Sequence, residues 1–126
     1  MTRYVLDASF LIDHLRGDRG ATDRFNALNE GGDELVVCGV SAAEAWSGRP
    51  NERGAVDRLL RYLEFVHAGA ASSRLAGIWR SEARERGRTL AMTDALIAAT
   101  AFHVDATVLT RNIRDFELTT ARVEVY

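Results

Sequence analysis

At 126 residues, 47% of them hydrophobic, the chain has apolar material for one domain with a real core, spanning 1–126, and too little for two. A net charge of -2 and a pI near 5.9 argue against a basic coat that holds nucleic acid without selectivity, although bound metal ions supply positive charge where a phosphate docks. All 16 basic residues are arginine, and the absence of lysine removes P-loop nucleotidases, phospho-acceptor receiver domains and aspartate-nucleophile phosphatases, each of which depends on one.

No run approaches the roughly 20 apolar residues of a membrane span. The opening Met1-Thr2-Arg3-Tyr4 leads straight into strand-like sequence with no signal-peptide pattern. A single cysteine, Cys38, sits in an apolar run, which excludes disulfide and metal-thiolate schemes and points to a small buried hydrophobe. The expected compartment is the cytoplasm.

In chain order the pattern predicts a strand over 3–7, helices over 8–16 and 20–30, a strand over 34–40 and a helix over 41–47. A turn at Pro50 leads to a helix over 52–64 and a short strand near 65–67. Helices over 71–87 and 93–103, a strand over 106–110 and a last strand over 122–126 complete the chain. Short β-branched runs alternating with helices predict a three-layer α/β/α sandwich around a central, mostly parallel sheet. Val56, Leu59, Leu60 and Leu63 share one helical face, and Leu75, Ile78, Trp79 and Ala83 form a stripe on another helix. The helix that opens at Asp94 is apolar nearly all round, so it is expected to be buried.

Four acids fall where one element gives way to the next. Asp7 ends the run Tyr4-Val5-Leu6, Glu44 follows Leu35–Val40 on the first turn after Ser41, Asp94 opens the apolar helix, and Asp115 lies just past Ala106–Leu109. Carboxyl ends of parallel strands and starts of the following helices share one edge, where ligands bind. Each acid also has a plain structural reading. Asp7 fits an N-cap, and Ser9 fits local hydrogen bonding of the same kind. Ser41-Ala42-Ala43-Glu44 fits a capping box. Asp94 suits a helix N-terminus, and Asp115 suits a turn or a surface pair with Arg111 or Arg114.

The conjunction favours chemistry over capping. Four carboxylates at one edge repel one another unless a hard divalent cation lies between them. Cleaving a phosphodiester needs an activated water, charge compensation on phosphoryl oxygens and stabilisation of the departing oxygen, and one or two magnesium ions meet all three needs. Magnesium takes only one or two carboxylates directly, here assigned to Asp7 and Asp94; Glu44 and Asp115 then orient water or hold a second ion. Arg111 is the expected phosphate contact.

Val5-Leu6-Asp7-Ala8-Ser9, Ser41-x-x-Glu44, Thr93–Ala101 and Leu109–Phe116 together resemble the PIN-domain ribonucleases, and more closely the VapC-type toxins of bacterial toxin–antitoxin pairs. The resemblance covers essentially the whole chain. It implies a PIN-like fold and a magnesium-dependent endoribonuclease, with manganese as a substitute ion. Asp7 and Asp94 match the magnesium-binding aspartates, Glu44 the acid on the helix after the second strand, Asp115 the acid before the terminal phenylalanine, and Ser9 the small hydroxyl residue near the first aspartate. Some relatives carry a further acid at Asn112, which here suits orienting water or a phosphate and leaves one or two ions open. The resemblance also implies in-line hydrolysis leaving a 5′-phosphate, and a cognate antitoxin that covers the acidic pocket. A homodimer is a further expected partner.

Two rival classes remain. One is a catalytically silent PIN-like binding module, against which four intact acids count. The other is a metal-dependent phosphatase, which wants an Asp-x-Asp motif and a lysine, whereas the first strand here ends Asp7-Ala8-Ser9. Arg80, Arg84, Arg86 and Arg88 read as a solvated helix end in preference to a phosphate rim. His14, His67 and His103 show no ligand spacing, and Trp46 and Trp79 read as packing. Phe10, Leu11, Leu15, Phe25 and Leu28 are more apolar surface than the first two helices need, so a partner-binding groove is expected there.

Overall fold

A computed structural model describes residues 1–126. Strands β1 (Arg3–Leu6), β2 (Glu34–Cys38), β3 (Glu64–Val66), β4 (Thr107–Leu109) and β5 (Arg122–Glu124) form one sheet in the order β3-β2-β1-β4-β5, every pairing parallel. Around it lie α1 (Ala8–Leu15), α2 (Arg19–Glu30), α3 (Gly39–Trp46), α4 (Arg53–Leu60), α5 (Ala70–Glu85) and α6 (Met92–His103), with 3-10 turns at Pro50–Glu52 and Ile113–Phe116. No helix is long and apolar enough to cross a membrane.

Alternation along the strands splits the core in two. Val5, Val36, Cys38 and Val108 pack with Ala76, Trp79 and Ala83 of α5 and the buried residues of α6. Tyr4, Leu6, Val37 and Leu109 pack on the other face with Phe10, Leu11, Leu28, Val56 and Leu60. Both faces are covered, which is why these strands read as continuous apolar runs. From β1 the chain builds outward to β2 and β3, then returns through α5 and α6 to β4 on the opposite side of β1. The strand order therefore reverses between β1 and β4, and a crevice opens beyond their carboxyl ends.

Several boundaries move by one residue, and the last strand, expected over 122–126, stops at Glu124; three other shifts bear on the core and the cleft. The strand expected over 34–40 stops at Cys38, and α3 begins at Gly39 in place of 41. Ser41 thus lies inside the first turn, fully buried with its hydroxyl unpartnered, and the capping box is not made. The helix expected over 52–64 ends at Leu60. Tyr62 and Leu63 continue as tight turns onto the carbonyls of Leu59 and Leu60, so Leu63 keeps its place in the core without being helical. The helix expected over 71–87 ends at Glu85, where Gly87 adopts φ +68°. The Gly87 N–H donates to the Arg84 carbonyl and the Arg88 N–H to the Ala83 carbonyl, both at 2.9 Å, closing the helix with a Schellman motif.

Helix α6 enters the core through small residues: Ala95, Ala98, Ala99 and Ala101 have no exposed surface. Because it runs back toward the start of β4, its first turn sits at the carboxyl edge of the sheet, and close alanine packing fixes where Asp94 stands. Ala98→Leu is expected to cost about 1–3 kcal/mol by overpacking. Urea unfolding measures it, and a cost below about 0.5 kcal/mol would contradict tight packing of this helix.

Candidate active site

Asp7, Ser9, Glu44, Asp94, Arg111, Asn112 and Asp115 line a single cleft of about 410 Å³ at the carboxyl edge. Every residue singled out from the sequence for chemistry is therefore gathered in one place, outside the β1/β4 crossing. The Asp7 N–H donates to the Leu109 carbonyl at 3.0 Å, so β1 and β4 deliver their ends together.

Asp7 occupies the N-cap position of α1 but its side chain makes no cap. Its Oδ2 instead accepts from the Ser9 hydroxyl at 3.0 Å and the Thr110 hydroxyl at 2.7 Å. Both hydroxyls also accept a backbone donor, Ser9 from the Arg111 N–H at 3.2 Å and Thr110 from the Asn112 N–H at 3.0 Å. With both protons spent on Asp7, the 3.3 Å approach of Ser9 and Thr110 to each other is packing. The buried Asp7 carboxylate is thus held by one oxygen while its other oxygen has no protein donor. Thr110, fully buried just past the end of β4, is a partner of Asp7 that the sequence reading missed. Its signal was the mirror of Ser9: a hydroxyl placed just after the neighbouring strand.

Asp94 lies half-buried in the first turn of α6 with its pKa pushed up to about 7. Burial is the larger cause, followed by the negative charge of Asp115, Asp7 and Glu44. The Glu44 carboxyl is also raised, first by burial and then by Asp7. Asp115 is carried by the turn at Ile113–Phe116, which Phe116 pins by inserting into the core. Its expected alternative, a pair with Arg111 or Arg114, is absent, and none of the four acids forms an ion pair with any arginine.

The donor set fits a hard divalent cation. All its members are oxygen, the one guanidinium lining the cleft, Arg111, is paired to Asp13 and to none of them, and their mutual repulsion adds to burial in raising Asp94. No three acidic side chains are gathered tightly enough to hold one ion among them. Magnesium takes only one or two carboxylates directly and fills its remaining positions with water.

The other candidates lie elsewhere. None of Arg80, Arg84, Arg86 and Arg88 lines the cleft, and Arg80 instead donates to the Leu90 carbonyl at 3.0 Å. Trp79 is buried as expected, whereas Trp46 is partly exposed and donates to Asp57 at 2.8 Å. A second, larger cavity of about 660 Å³ opens between α1, α2 and α4, lined by His14, Leu15, Phe25, Leu35, Leu59, Tyr62 and Leu63 among others. Of the apolar residues expected to form a groove, Leu15 and Phe25 do so, while Phe10, Leu11 and Leu28 are spent on the core. The missing wall comes from α4 and the turn after it.

The PIN domain family model matches residues 4–120. Ribonuclease VapC19 of Mycobacterium tuberculosis is 30% identical over 115 residues, covering 90% of this chain and 92% of that one. Ribonuclease VapC10 of the same organism is 34% identical over 115 residues, covering 90% and 86%. Among solved structures, VapBC2 from Rickettsia felis bound to a promoter DNA fragment superposes with a TM-score of 0.83 at 20% identity, covering 99% of both chains. VapBC-1 from nontypeable Haemophilus influenzae gives 0.81 at 20% identity over 98% of each. At that identity the structural likeness concerns the fold, which is the same three-layer arrangement. Matched over nearly its whole length by the family model and by relatives at 30% identity or more, the chain belongs to the PIN domain family.

Proposed function

We propose that this protein is a magnesium-dependent endoribonuclease acting as the toxin of a toxin–antitoxin pair. The observation that carries the reading is the convergence of Asp7, Glu44, Asp94 and Asp115 on one cleft, close enough that the other three charges raise Asp94. Supporting it, two relatives over most of the chain are named ribonucleases.

Asp7 and Asp94 would hold the ion directly. Ser9 and Thr110 orient the Asp7 carboxylate by occupying one oxygen and leaving the other toward the cleft. Asp94, raised to about 7 by burial and then by Asp115, Asp7 and Glu44, would have to be deprotonated to serve as a ligand. Glu44 and Asp115 orient the attacking water or support a second ion, and Asn112 assists at the rim. Arg111 contacts phosphate. When bound, magnesium compensates phosphoryl charge and makes water a competent nucleophile near neutral pH. Manganese, with the same preference for oxygen ligands, is the expected substitute.

The antitoxin occupies the apolar cavity between α1, α2 and α4. Its lining suits an amphipathic helix laid along Leu15, Phe25, Leu59 and Tyr62, and structural neighbours include a toxin–antitoxin complex from Klebsiella pneumoniae and a member of the VapBC family of toxin–antitoxin systems from Mycobacterium tuberculosis. A silent binding module would have no need for two hydroxyls dedicated to a buried carboxylate.

RNA cleavage by the purified chain is expected to stop in excess chelator and to return with magnesium or manganese. Cleavage that persists with the chelator in excess, and that co-purifies with the protein through successive columns, would end the metal-dependent reading.

A further inference from the structure

Arg111 is the one guanidinium lining the acidic cleft, and it is anchored by a single nitrogen. Nη1 donates to both oxygens of Asp13, at 2.8 and 2.7 Å, while Nε and Nη2 have no protein acceptor. The Arg111 side chain is 58% exposed and that of Asp13 only 15%, so the anchor is the sheltered partner. Behind it, the Tyr126 hydroxyl donates to Asp13 Oδ2 at 2.5 Å. The Tyr126 ring in turn stands edge-on to the fully buried Phe10, with centroids 4.8 Å apart. At its backbone end, Arg111 donates to the Ser9 hydroxyl that holds Asp7. A core phenylalanine, a tyrosine and a carboxylate thus brace one arginine against the residue assigned to the metal.

We propose that Asp13 is a positioning residue for RNA: it grips Arg111 by Nη1 so that the Nε and Nη2 edge of the fork meets a backbone phosphate beside the scissile bond. An arginine fork binds phosphate through two parallel donors, and holding the fork in place beforehand spares the freedom otherwise lost on binding. Asp13 does not line the cleft and touches no reacting atom. The inference rests on the ribonuclease reading above.

The sign of the effect separates this role from simple charge. Removing a carboxylate near an RNA strand relieves repulsion and, on charge alone, tightens binding. Removing the brace weakens it. Asp13 is shielded behind Arg111 and Tyr126, so loss of the brace dominates.

The test compares the native chain with Asp13→Asn, Tyr126→Phe, Arg111→Ala and the Asp13→Asn/Arg111→Ala double variant. Steady-state cleavage of a single-stranded RNA oligonucleotide is measured with magnesium, and anisotropy of the same labelled RNA in excess chelator. Arg111→Ala is expected to raise KM about tenfold or more, with the smaller effect on kcat. Its plot of log affinity against log salt should flatten by about 0.7, one phosphate contact on a single strand. Asp13→Asn should raise KM about fivefold and weaken chelator-state binding to match, and Tyr126→Phe should move both in the same direction by less. The double variant should bind no worse than Arg111→Ala alone, since the brace acts only through that arginine. Additive losses in the double variant, or tighter RNA binding by Asp13→Asn, overturn the assignment. Should Asp13→Asn not fold, an unchanged KM in Tyr126→Phe overturns it instead. A native chain that neither binds nor cuts RNA removes the ribonuclease reading itself, an outcome distinct from an active enzyme with additive variants.

Discussion

Asp94→Asn protein will lose RNA cleavage by roughly two to three orders of magnitude or more, yet in chelator at pH 8 it will unfold at a higher temperature than the native chain. The two effects have opposite signs because one charge serves one purpose and harms the other. In the metal-free fold Asp94 sits at about 7 against an ordinary value of 3.8, raised by burial and by Asp115, Asp7 and Glu44. Between those two values the folded chain holds a proton there that the unfolded chain has lost. Native stability therefore falls as pH rises through that window and stays low above it. Asparagine has nearly the same shape and cannot ionise, so the loss disappears along with the ligand. Thermal unfolding of both proteins in chelator from pH 4 to pH 8 measures the difference, which should be small at pH 4, grow as pH rises through the window and reach several degrees at pH 8. A variant that keeps magnesium-dependent cleavage, or that melts lower at pH 8, would contradict the placement of Asp94 among repelling acids.

That placement was legible in sequence for a physical reason. The runs Tyr4-Val5-Leu6 and Ala106–Leu109 are continuously apolar because both faces of a parallel sheet are covered, and such runs stop abruptly where the strand leaves the core. Asp7 and Thr110 stand at those stops, and Asp94 stands at the mouth of a helix made buried by its alanines. What the sequence could not convey is lateral order. Nothing in Tyr4–Leu6 says that its neighbours are β2 and β4, and only the pairing of Leu6 with Leu109 brings Thr110 onto Asp7. Asp13 was invisible for the same cause: its partners Arg111 and Tyr126 lie 98 and 113 residues away along the chain. Glu44 shows the converse case, a local pattern whose structure is not made. Ser41 and Glu44 have the spacing of a capping box, but the helix starts at Gly39, so Ser41 is carried into the core and Glu44 is left to face the cleft. The groove expected on the first two helices was half legible, because amphipathic surplus on α1 and α2 signals a partner without revealing that α4 supplies the opposing wall.

Magnesium affinity of the native chain will fall about tenfold for each pH unit below 7 and level off above it, because the ion competes with the proton on Asp94. Calorimetric titration at pH 6 in two buffers of different ionisation enthalpy should show close to one proton released per ion, and at pH 8 close to none. Binding also relieves the repulsion that destabilises the metal-free fold. At a hundred times the dissociation constant the gain is about 2.7 kcal/mol, a rise of several degrees in unfolding temperature. Asp94→Asn should abolish both the proton release and most of that rise. Thr110→Val should retain the proton release, because it leaves Asp94 intact, while weakening affinity through a misoriented Asp7. Affinity that does not change between pH 6 and pH 8 would place the ion away from Asp94, and with it the nucleophilic water on which cleavage depends.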